Sequence, residues 1–138
     1  MVEFDTAEPC PIDFLGDTSD LVYFMSFAHA ERYGSAHELA QAAAILKRQC
    51  HINLTPLLTF GDARADQAAQ ERALELLWQD AQPLADCCRQ VIAAMETEPG
   101  LGLLTADYPE LAERLKELAD MALWAAERGA QVRLTYLL

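Results

Sequence analysis

The chain has 138 residues, enough for one domain with a sizeable core, and 52% of them are hydrophobic. Ten Lys and Arg face 22 Asp and Glu, a net charge of −12, so the average surface repels a nucleic-acid backbone or an anionic membrane. The longest apolar runs, 21–27 and 42–46, fall well short of the ~18 residues that a membrane span requires.

The opening Met-Val-Glu-Phe-Asp is acidic where a secretory or mitochondrial leader is basic, and the expected location is the cytoplasm. Reduced cysteines are expected in that compartment. Cys10, Cys50, Cys87 and Cys88 form no Cys-x-x-Cys spacing, which removes the usual redox and zinc-ribbon signals. The first thirty-one residues carry no Lys or Arg, only Glu3, Asp5, Glu8, Asp13, Asp17, Asp20 and Glu31. A solvated face explains that bias most simply. A basic protein partner is the sharper alternative.

In chain order, residues 1–16 read as an irregular lead-in. Val2 and Phe4 alternate with Glu3 and Asp5 as in a strand, and Pro9 and Pro11 then preclude a helix. The Asp17-Thr18-Ser19-Asp20 cluster offers caps for a first helix over about 18–33. Leu21, Val22, Tyr23, Phe24, Met25 and Phe27 make it apolar on more than one side. Such a helix is either central in the core or half of an oligomer interface.

Ser35 and Glu38 have capping-box spacing and start a second helix over about 35–53. Thr55-Pro56 then opens a short turn that ends at Gly61. From Asp62 to Glu98 there is no glycine and a single proline, Pro83. Leu74, Leu77, Ala81, Leu84, Cys88, Val91 and Met95 recur at alternating spacings of three and four, which keeps them on one helical stripe. The expectation is a third helix over 62–98, bent at Pro83.

Asp107, Pro109 and Glu110 signal a fourth helix over 107–128 with a stripe of Leu111, Leu115, Leu118, Ala122 and Ala125, closed by Gly129. The tail Val132–Tyr136 alternates as a strand does. Pairing it with residues 2–5 in a short antiparallel ribbon would set Glu3 and Asp5 against Arg133. The expected fold is all-α: one domain, an antiparallel bundle of four main helices, with a short terminal β-ribbon as an addition.

No phosphate loop, Gly-x-Ser-x-Gly or His-Glu-x-x-His occurs, and no Glu-x-x-His pair supports a di-iron site. His29 and His37 flank one turn. A straight third helix would carry Cys87 and Cys88 about 37–39 Å along it, back toward His37. His29, His37, Cys87 and Cys88 are therefore the candidate metal ligands, a nitrogen–sulfur set suited to Zn²⁺. The simpler reading makes Cys88 a small core residue and His29 a helix-end cation. Cys50 beside His51 is not a nucleophile–base pair, because consecutive helical residues do not face each other.

No motif indicates an enzyme. The function expected from sequence is a non-enzymatic cytoplasmic interaction module, homodimeric through its first helix, with no cofactor. The alternative is a metal- or small-molecule-binding sensor at the His/Cys end of the bundle.

Overall fold

The computed structural model describes residues 2–31, 34, 36–62 and 68–136. In chain order the elements are β1 (Val2–Phe4), α1 (Ser19–Ala30), α2 (Glu38–Arg48), α3 (Thr55–Leu58), β2 (Phe60–Asp62) and α4 (Ala68–Glu75). They continue with β3 (Gln79–Asp80), α5 (Ala81–Thr97), α6 (Pro99–Leu104), α7 (Leu111–Glu127) and β4 (Gln131–Tyr136). The fold is mostly helical, but the four-helix bundle is replaced by seven helices among the described residues and a small mixed sheet.

The C-terminal strand organises that sheet. β1 lies antiparallel to β4 in the register Val2↔Leu134, Glu3↔Arg133, Phe4↔Val132, so the expected terminal ribbon is present. Arg133 reaches Glu3 at 2.5 Å. Asp5 does not face Arg133; it exchanges backbone and side-chain bonds with Gln131 instead. Val132 also pairs with Gln79, and Leu134 with Phe60. β4 is therefore central, with β1 on one edge and antiparallel β3 and parallel β2 end to end on the other. The sheet is more than a ribbon because two further segments close that second edge, which would otherwise offer unpaired N–H and C=O groups.

Those segments explain the largest departure from the sequence reading. The helix expected over 62–98 is divided: α4 ends at Glu75, β3 pairs with β4, and α5 begins at Ala81. Pro83 lies in the first turn of α5, where its missing N–H has no intrahelical partner to lose, so it begins a helix and bends none. The Gln79 amide donates to the Pro56 carbonyl at 2.9 Å and fixes the break against α3. The stripe itself survives: Leu84, Cys88 and Val91 are fully buried. Leu74 and Leu77 pack over Gly61, where an added Cβ would lie 2.5 Å from Leu77 Cδ1 and would require that side chain to shift.

The other helix boundaries shift for similar reasons. α2 starts at Glu38 with His37 as its N-cap; Ser35, the expected cap, is outside the described residues. Residues 107–110 form a turn, not the first turn of a helix, and the Glu110 N–H is satisfied from across the fold by Asp20 Oδ2 at 3.0 Å. α5 ends at Thr97, just short of the expected 98, and Pro99 opens the short α6. Gly129, at φ +66°, does close α7.

α5 and α7 form the most extensive helix pair, and Leu111, Leu115, Leu118, Ala122 and Ala125 of α7 are all buried as the spacing requires. In α1, Leu21, Val22, Phe24, Met25 and Ala28 are buried within the chain itself, over an arc of roughly 160°. That burial leaves Tyr23 and half-buried Phe27 on the outer side. The lead-in is tied to α7 by a backbone hydrogen bond to Glu117, which is itself half of an ion pair within α7. Arg114 Nε lies 2.7 Å from Glu117 Oε1, with the N–H not aimed at the oxygen, and Glu117 Oε2 accepts from the Leu15 N–H at 2.9 Å.

Candidate functional site

The four residues nominated by sequence fall in three places. Cys87 and Cys88 lie in the second turn of α5, about 10 Å from its start, because no straight rod precedes them. Both thiols face the core at 3% and 0% exposure. Burial pushes the Cys87 thiol up to about 11, opposed in part by a backbone hydrogen bond with Leu57. Burial also raises Cys88 well above its ordinary value, and neighbouring Cys87 adds to the effect. Buried thiols held in the protonated form are poor nucleophiles.

His29 occupies the last turn of α1, with its ring edge-on to Phe60 at 5.8 Å. His37 stacks flat on Phe27, with centroids 3.7 Å apart and planes at 2°. Positions 27 and 29 of one helix point about 200° apart, so the helix that holds His37 at Phe27 directs His29 elsewhere. Among the described residues, no three His, Cys, Asp or Glu side chains are grouped to hold a metal ion.

The structure instead builds a site around His37. Its Nδ1 accepts the Leu39 N–H at 3.1 Å, the side-chain cap of α2. That bond requires an unprotonated Nδ1, so the neutral ring carries its proton on Nε2. Nε2 lies 3.4 Å from the Tyr108 hydroxyl, which donates to Glu38 Oε1 at 3.1 Å. The result is a chain running His37 Nε2–H to Tyr108 to the Glu38 carboxylate. It joins the start of α2 to the turn before α7.

Carboxylates crowd this point. Burial, then the Glu38 hydrogen bond and charge, then the charges of Asp107 and Asp20, hold the Tyr108 hydroxyl above its ordinary value of 10.0. Asp20, Tyr23 and Phe27 follow one another at spacings of three and four on α1 and so share one face. The face is thus aromatic and acidic together: Tyr23, Phe27, His37 and Tyr108 beside Asp20, Glu38 and Asp107. Sequence reading selected His37 but missed Tyr108, which is 71 residues away, and treated Glu38 only as a cap. Its one visible signal was a tyrosine within the acidic turn Asp107–Glu110.

No protein-family model matches the chain, and neither a curated protein nor a solved structure matches it.

Proposed function

We propose that the protein is a non-enzymatic interaction module that receives a basic segment of a partner protein on the α1–α2–Tyr108 face. The gathering of Asp20, Glu38 and Asp107 around the Tyr108 hydroxyl carries this reading. A Lys or Arg side chain gains charge complementarity from the carboxylates and cation–π attraction from the rings beside them. The net charge of −12 draws such a partner in from a distance. His37 is committed to capping α2, and the two core thiols are held protonated; both features favour a binding role over catalysis. All four cysteines are unbridged, which fits a cytoplasmic setting.

Anisotropy of a labelled Lys/Arg-rich peptide tests the proposal. Paired substitution Glu38→Gln with Asp107→Asn should weaken binding about tenfold, and added salt should weaken it in wild type. The control pair, Asp86→Asn with Glu96→Gln on the exposed side of α5, should change it little. Equal losses in both pairs would reduce the effect to net charge and defeat the proposal. Light scattering addresses the homodimer separately: the interface reading of α1 now rests on its outer side at Tyr23, 45% exposed, and a monomer at high concentration would remove it.

A further inference from the structure

An open cleft of about 200 Å³ is lined by Ala28, His29, Lys47, Thr55, Leu58 and Thr59. Among the described residues, no carboxylate lines it. On its cationic side Glu31 is occupied twice: Lys47 Nζ lies 2.6 Å from Oε2 and Arg48 Nη2 lies 2.8 Å from Oε1. The three side chains together leave one positive charge in excess.

We infer that this cleft binds a small organic oxyanion, a phosphate monoester or a carboxylate. The Lys47 ammonium has three donors, of which the Glu31 bond uses one, and its side chain is 30% exposed at the cleft. The Thr55 hydroxyl supplies a further polar contact. Thr59 contributes differently: its hydroxyl donates to the Thr55 carbonyl at 2.7 Å and so shapes the wall. Ala28 and Leu58 form the apolar side against which a short carbon chain packs. The volume is below the roughly 300–1,000 Å³ of pockets for drug-sized ligands, so the occupant is small. This site is separate from the acidic face and does not depend on it.

The test follows the His29 ring resonances by NMR during titration with inorganic phosphate, methyl phosphate and acetate, with ionic strength held constant by chloride. Saturable shifts are expected, with a Kd on the order of 1 mM for the preferred anion. Tighter binding of methyl phosphate than of acetate assigns phosphate esters, and the reverse order assigns carboxylates. Lys47→Met should weaken binding at least about tenfold, while Lys116→Met, on the exposed surface of α7, should leave it unchanged. Thr55→Val, at an exposed position, gives a second variant if Lys47→Met fails to fold, with an expected loss of about threefold. Shifts that never saturate, or affinity that survives both substitutions, overturn the inference.

Discussion

Alkaline titration of Cys87 offers a demanding test of the core. Its thiol is raised from the ordinary 9.0 to about 11 because α5 buries it against α3. Folding therefore favours the protonated form. Below pH 9 both folded and unfolded chains hold the proton, and this contribution to stability is fully present. As pH rises, the unfolded thiol ionises first and stability falls by about 1.36 kcal/mol per pH unit, until the folded thiol also ionises near pH 11. The full loss is roughly 2.7 kcal/mol, and buried Cys88 adds to it in the same direction.

Cys87→Ala isolates this effect from the tyrosines and lysines that titrate in the same window. At about pH 8 the substitution should cost roughly 1 kcal/mol, the value of the buried group it removes. By about pH 11 the wild type has lost more than that, so the order of stabilities should invert. Urea unfolding followed by Trp fluorescence, at steps across this range, gives the comparison. A constant gap between the two proteins at every pH would refute the assignment. Ellman's reagent adds an independent reading: half-buried Cys10 and Cys50 should react in the native protein, and Cys87 and Cys88 only on unfolding.

Two further outcomes are expected. Gly16→Ala should destabilise by about 1 kcal/mol, since its Cβ would lie 2.4 Å from the Nη1 of tightly packed Arg114, whereas Gly102→Ala in α6 meets nothing and should gain about 0.5–1 kcal/mol; thermal melts of both decide it. Glu31, held below its ordinary 4.5 chiefly by the Lys47 hydrogen bond, contributes stability above that value and loses it as pH falls through its lower folded value. Acid unfolding of Glu31→Gln should accordingly be shallower than that of wild type, and parallel profiles would show that the ion pairs with Lys47 and Arg48 contribute nothing.

Local periodicity explains how far the sequence carried. The α7 stripe from Leu111 to Ala125, the core position of Cys88, the Gly129 stop and the antiparallel pairing of β1 with β4 all follow from side chains a few residues apart, or from alternation at the two ends. The break at residues 76–80 does not. Nothing within that segment disfavours a helix, and it unwinds because Gln79 and Asp80 complete an edge of β4 more than fifty residues later. Hydrogen bonds to a distant strand outweighed a helix propensity worth only tenths of a kcal/mol per residue.

The candidate sites divide along the same line. By itself the sequence determined a helical core, an acidic surface and a histidine at the start of the second helix. The tertiary structure alone decided that His37 meets Tyr108 and Glu38, that His29 turns instead toward Lys47 and Thr55, and that both core cysteines are sealed away. Helical spacing fixes the direction of a side chain on its own helix. Which residue it meets depends on how the helices pack, and that packing is set by contacts between residues far apart in the chain.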